Sequence, residues 1–361
     1  MDDGPRAAAE LPVLTRTDRV VALPQDRLLG PARRIGRYGG WTGRGRAPDH
    51  GAMTSPEQTT VRALRAVARH RAMGLHFLGH YLGIEGLDRD VRDGADDAAS
   101  WLLLAAREPG EQVDDVALGV FVDLAMGQAV RARLDRGMRL ATSSLVLHRA
   151  PGPIERPVRA RAEVDWLEDR ASGGNAAVRF EVSDERGRLA ATGSGSFVTL
   201  PADDDTNVSI VDWSRGDEAT PLARQDLTPH EAAAVAAVES AAPRGAETSD
   251  GLLDLTWSEV SQDTLSGELM VGPQHDNRVG DLQGGLVFGI GATAARRLCE
   301  GRRRIVDGQV LYLRPAGHGP LQITATLLRR GRRVSFVRVV LQSRGKQGAE
   351  LTYTLGADGS A

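Results

Sequence analysis

The sequence has one cysteine, Cys299, and one lysine, Lys346, in 361 residues. A lone thiol excludes an internal disulfide and a Cys-rich zinc site, and its apolar neighbours make Cys299 a small buried hydrophobe. Aromatic residues are 4% of the chain, which gives no argument for a flat aromatic substrate. The net charge of −3 is too small to point to nucleic acid or a membrane surface as partner. No apolar run approaches the roughly 18 residues that a spanning helix needs. Met1-Asp2-Asp3 opens without an apolar segment of the secretory kind, so the chain reads as cytoplasmic. There is no Gly-x-Ser-x-Gly elbow, no P-loop and no dinucleotide-binding glycine fingerprint. His275 and His318 lack ligand-spaced partners, so no metal is expected.

What is present is the composition of an ordinary globular chain, 41% hydrophobic and 26% charged, long enough for two domains. Residues 1–53 scatter Pro among Arg and Gly without a period and read as a poorly ordered extension, with Met53 a candidate start. Ser55-Pro56-Glu57-Gln58 has the form of a capping box ahead of an amphipathic helix. The same punctuation returns at Thr228-Pro229-His230-Glu231, about 170 residues later, which predicts duplication of a whole domain. The halves agree element by element: a helix, two strand-like runs (74–87 and 98–107; 252–260 and 264–271), then a Gly-containing apolar helix (near 115–134; 283–299). A strand ending in an Arg/Pro/Gly turn and further strands close each half. The expected limits are 54–200 and 228–361, with 201–227 as linker.

Val116 to Val122 and Leu286 to Ala292 are apolar on every side, and a helix of that kind must be buried all round. Strands run in blocks rather than alternating with helices, which gives an α+β class. The expected form is two antiparallel sheets, each wrapped around a long apolar central helix.

Two short motifs carry a family resemblance. Asn277-Arg278-Val279-Gly280-Asp281-Leu282-Gln283-Gly284-Gly285 resembles the Asn-x5-His-Gly-Gly that opens the central helix of phenylacetate-pathway-type hotdog thioesterases, with Gln in the His position. Asp123-Leu124-Ala125-Met126-Gly127 resembles the acid motif nine residues further along in that family. Each half has kept what the other lost: Ala292 fills the acid position of the second half, and Asp114-Asp115-Val116 stands where His-Gly-Gly would in the first, so its glycine pair is missing.

The resemblance implies a double hotdog, a pseudo-dimer with one composite acyl-CoA thioesterase site. Asp123, Gln283, Gly284 and Asn277 are its catalytic candidates, and Gly285 and Gly127 its substrate-binding ones. The pole of Asp114-Asp115 against Ala292 is then inactive. No cofactor is implied beyond coenzyme A as part of the substrate, and a homodimer of pseudo-dimers is a partner state the family allows.

The residue types suit the chemistry. Unpaired amides at a helix N-terminus stabilise the oxyanion of thioester hydrolysis, and glycine lets the thioester approach them. A carboxylate in an apolar helix gains basicity and either attacks the thioester or activates water. Gln can hold a ligand through its amide but cannot shuttle a proton. The bland alternatives are a structural Asp123 bonded to neighbours, a Gly pair that only makes a turn, and Asn277 as a loop residue. Arg302-Arg303-Arg304 and Arg329-Arg330 read as solvated faces, with coenzyme A phosphates as the alternative role. A non-catalytic acyl-CoA-binding or interaction protein is the second functional reading. A hydratase is the third, and its Asp-x4-His signature is absent.

Overall fold

The computed structural model describes residues 55–87, 99–106, 110–134, 137–168, 172–202, 211, 213, 219–241, 252–301 and 303–357. The expected extension over 1–53 lies outside the described residues, as do most of the expected linker positions between 203 and 218.

The first half runs α1 (Ser55–Met73), α2 (Phe77–Tyr81), β1 (Ile84–Gly86), β2 (Ala99–Leu104), α3 (Asp115–Arg131), β3 (Met138–Arg149), β4 (Val158–Leu167), β5 (Gly174–Asp184) and β6 (Leu189–Pro201). The second half runs α4 (Pro229–Ala241), β7 (Leu255–Val260), β8 (Thr264–Val271), α5 (Gly284–Leu298), β9 (Arg303–Tyr312), β10 (Gly319–Arg330), β11 (Val334–Ser343) and β12 (Lys346–Ala357). Strand order across the molecule is β1-β2-β4-β5-β6-β3-β9-β12-β11-β10-β8-β7, all antiparallel. Read outward from its centre, the order is the same in both halves, so the duplication expected from the two Pro-led helix starts extends to the strand topology.

Two expectations are corrected. The sheets are not separate: β3 and β9 pair, with Leu145 opposite Val310 and Leu147 opposite Gly308, making one continuous sheet of twelve strands. Each half ends its own sheet on a strand with unpaired N–H and C=O groups, and the two edges satisfy each other. The strand-like run 74–87 holds a short helix, α2, and only three strand residues. His76 accepts a hydrogen bond from the Gly79 amide and caps α2, and Gly83, at φ +82°, turns the chain into the short β1.

The second helix start is a true capping box. Thr228 Oγ1 accepts from the Glu231 amide at 3.3 Å, and Glu231 accepts from the Thr228 amide at 2.7 Å. Arg71 of α1 donates to the same Glu231, pushing its carboxyl down to about 2 and tying α1 to α4. Within the expected linker, Val211 is buried beside Met73 and Leu75, and Trp213 meets the His80 ring edge-on.

The centre of the molecule is the α3–α5 pair. Leu118, Val120, Phe121 and Val122 on α3, and Leu286, Phe288 and Ile290 on α5, are fully buried. α3 touches strands β2 to β6, and α5 touches β8 to β12, so each helix lies against the strands of its own half. The two helices run antiparallel and cross where Gly119 meets Gly285. A Cβ on Gly285 would stand 2.1 Å from the Gly119 carbonyl oxygen, and one on Gly119 would stand 2.5 Å from that of Gly285. This crossing brings the N-terminus of α5 beside the middle of α3.

Candidate active site

At that junction a carboxylate from one half meets a helix start from the other. Asp123 sits on α3 at 7% exposure, held by three donors. Thr142 Oγ1 of β3 donates to its Oδ1 at 2.9 Å, Gln283 Nε2 donates to its Oδ2 at 2.7 Å, and the Gly285 amide donates to the carboxylate as well. Burial pushes the carboxyl up to about 6, and the three donors, which favour the ionised form, only partly oppose it.

Gln283 is the N-cap of α5: its Oε1 accepts from the Leu286 amide at 2.7 Å. The amide orientation is dictated by its partners, because an N–H needs the oxygen and an ionised carboxylate needs the nitrogen. Gln283 therefore braces Asp123 and caps the helix at once. Its own backbone is pinned from below, its N–H donating to the His275 carbonyl at 3.0 Å. His275 is fully buried and bonded to the Leu252 carbonyl, and burial lowers it to about 4.

Asp123, Gln283, Gly284, Asn277 and Gly127 all line one cavity of about 550 Å³ between the halves. Gly284 is the first residue of α5, so its N–H has no intrahelical acceptor. Its carbonyl accepts from the Tyr312 hydroxyl at 2.7 Å. A Cβ on Gly284 would stand 3.0 and 3.2 Å from the two Asp123 oxygens and 3.2 Å from Thr142 Oγ1. Gly285 is not among the lining residues; it serves the helix crossing and gives its amide to Asp123. Asn277 spends its side-chain oxygen on its own loop, accepting from the Val279 amide at 2.8 Å and the Asp281 amide at 3.1 Å. Gly127 is not forced by packing, since a Cβ there would meet only Leu140, at 3.9 Å.

Thr142 is the member that sequence reasoning missed. It belongs to Thr142-Ser143-Ser144, three hydroxyl residues that interrupt the alternation of β3, where a register shift breaks the pairing with β6. A bulge of this kind re-aims a side chain, and the polar run was its one legible sign.

The opposite pole is built differently. Asp114 caps α3, accepting from the Ala117 amide at 2.7 Å. Asp115, 3% exposed, is bracketed by Arg149 and by Arg296 at 3.3 Å, while Ala292 is fully buried. Guanidinium groups thus neutralise Asp115, the buried acid of that pole. Among the described residues, the arginine runs of the sequence lie outside the cavity, which is lined by Arg131, Arg139, Arg278 and Arg314 instead.

Residues 275–356 match the family model of the acyl-CoA thioesterase N-terminal domain. No curated protein matches the chain. Among solved structures, the chain is similar to a provisionally assigned oleoyl thioesterase from Lactobacillus plantarum, at 12% identity and a TM-score of 0.48, over 73% of this chain and 98% of that one. It is similar to the tesB protein of Mycobacterium avium subsp. paratuberculosis at 13% identity and a TM-score of 0.46, over 71% and 92%. A provisionally assigned thioesterase from Ralstonia eutropha JMP134, related to phenylacetic acid degradation, is similar at 26% identity and a TM-score of 0.29, over 33% and 98%. Among the described residues, no helix is long and apolar enough to cross a membrane, and no group of His, Cys, Asp and Glu is placed to hold a metal ion.

Proposed function

We propose that the chain is a thioester hydrolase of the hotdog acyl-CoA thioesterase type that works through a single composite site between its two halves, arranged as a pseudo-dimer. The observation that carries this reading is the 2.7 Å bond from Gln283 Nε2 to Asp123 Oδ2. It joins the acid motif of the first half to the helix start of the second, beside a cavity.

Asp123 is the base. Water beside it gives up a proton to the carboxylate, and the water oxygen attacks the thioester carbon. The carbonyl oxygen takes the negative charge and is held by the Gly284 N–H at the positive end of α5. The C–S bond then breaks, the acid leaves, and the coenzyme A thiolate recovers the proton from Asp123. Thr142 and Gln283 hold the carboxylate in place, so its orientation needs no search at the moment of reaction. Gln283 moves no proton, and with Asp123 as the base none is required of it. The Asp114–Asp115 pole takes no part.

The test is release of free coenzyme A from short, long and aromatic acyl-CoAs across a pH series. A base with a carboxyl near 6 must be deprotonated to act, so kcat/KM should rise through pH 6 and level off above it. Gln283→Glu sets a second carboxyl against Asp123, and like charges at this range share a proton. The rise should then move upward by roughly one unit or more. Tight binding without turnover of any thioester would instead identify a binding protein.

Gly284→Ala tests the geometry. Its Cβ forces the carboxylate or Thr142 to yield by a few tenths of an ångström, and kcat should fall roughly tenfold while the fold is kept. An unchanged kcat would remove Gly284 from the site.

A further inference from the structure

The cavity holds more positive charge than thioester hydrolysis uses. Four arginines line it against two carboxylates, Asp123 and Asp281. Arg139 and Arg314 are exposed, whereas Arg131 is 8% exposed and Arg278 half-buried. Arg131 donates to the Met138 carbonyl and pairs with no carboxylate among the described residues. Burial lowers it, and burial together with the like charge of Arg131 brings Arg278 down to about 10. His76 lines the same cavity. His76 Nδ1 accepts from the Gly79 amide, which leaves the proton on Nε2, and that N–H has no acceptor among the described residues. His76 is 4% exposed and feels the charge of Arg278. The buried Arg131 and the half-buried Arg278, lining one cavity, give it a wall suited to an anion.

Position decides which anion. Asp123, Gly127 and Arg131 are spaced by four on α3 and share one face, all lining the cavity. The helix rises about 12 Å from Asp123 to Arg131, and helical side chains lean back toward the N-terminus, so the guanidinium comes closer still. Gly127 leaves the path between them without a side chain. The extended pantetheine arm of coenzyme A, with its two amide units, outreaches this span. Arg139 and Arg314 are exposed, so phosphates held by them would remain in water.

We propose that this site takes acyl groups ending in a carboxylate, with the thioester at Asp123 and Gly284 and the far carboxylate on Arg131 and Arg278. This rests on the thioesterase reading and narrows it to the coenzyme A thioesters of dicarboxylic acids.

The test uses thioether analogues of adipyl-CoA and hexyl-CoA, which cannot be hydrolysed, so binding is read whether or not the protein turns over. The parent should bind the adipyl analogue about 10- to 100-fold tighter than the hexyl one. Arg131→Met should erase that preference by weakening the adipyl analogue more than the hexyl one. Arg131→Gln, which keeps a donor for the Met138 carbonyl without the charge, should do the same and covers a folding failure of the first variant. A parent without preference overturns the inference. So does an equal loss for both analogues in the variants, which would assign Arg131 to the coenzyme A phosphates. Hydrolysis of hexanoyl-CoA by the parent is scored separately and tests only the thioesterase reading.

Discussion

Asp123→Asn is expected to lower acyl-CoA hydrolysis by about a hundred- to ten-thousand-fold and to abolish the rise of rate near pH 6. The amide keeps the size of the carboxyl and can still accept from Thr142. It cannot take a proton from water. Stability separates this from a structural role. The carboxyl lies at about 6 in the folded chain, above the ordinary 3.8, so folding favours its protonated form. The stability it contributes is therefore present below pH 3.8 and lost as pH rises through about 6. Above that pH the buried charge costs the fold roughly 3 kcal/mol relative to a neutral carboxyl. Replacing it with an amide removes the charge, although the new N–H groups then face those of Gln283 and Gly285 and offset part of the gain. The melting temperature at pH 8 should not fall below that of the parent. A variant that melts early yet hydrolyses at the parental rate would make Asp123 a structural acid.

Gly285→Ala is expected to destabilise the chain by about 3 kcal/mol or more, against a gain of under 1 kcal/mol in helix propensity. The added carbon would stand 2.1 Å from the Gly119 oxygen, 2.4 Å from the Gly119 carbonyl carbon and 2.6 Å from the Val120 Cα. All three are backbone atoms inside a buried helix, so no rotamer change relieves the contact and the helices must part. Hydrolysis should be lost with the fold, because separation of α3 from α5 also separates Asp123 from Gln283. Urea unfolding measures it: a lowered midpoint with the parental slope is expected, and a parental midpoint would show that the crossing is loose. Gly127→Ala is the control for helix glycine as such, since a Cβ there meets only Leu140 at ordinary contact distance.

The first half of the site was legible in short stretches of chain. The acid motif around Asp123 and the helix start at Gln283-Gly284 are local patterns, and helix periodicity and capping are set within a turn or two of the chain. The apolar stretches of α3 and α5 predicted burial on all sides, because no helix leaves such a surface in water. The repeat of Pro-led helix starts implied duplication, and the strand order of the second half repeats that of the first.

The remainder depended on contacts between distant residues. Whether two sheets stay apart or join is decided by the edges of β3 and β9, and a strand does not carry its neighbour's identity in its own alternation. Thr142 reaches Asp123 because β3 slips register at that point. Asn277, placed among the catalytic candidates by its motif, turns its oxygen into its own loop. Gly285 gives up the cavity to the helix crossing. The sequence by itself determined most of the elements, the run 74–87 excepted, and which of them carry acid, amide and glycine, because those depend on neighbours along the chain. The tertiary structure alone decided which of them meet, what a buried charge is bonded to, and that Arg131 and Arg278 line the same cavity as Asp123, because burial and electrostatics act through space.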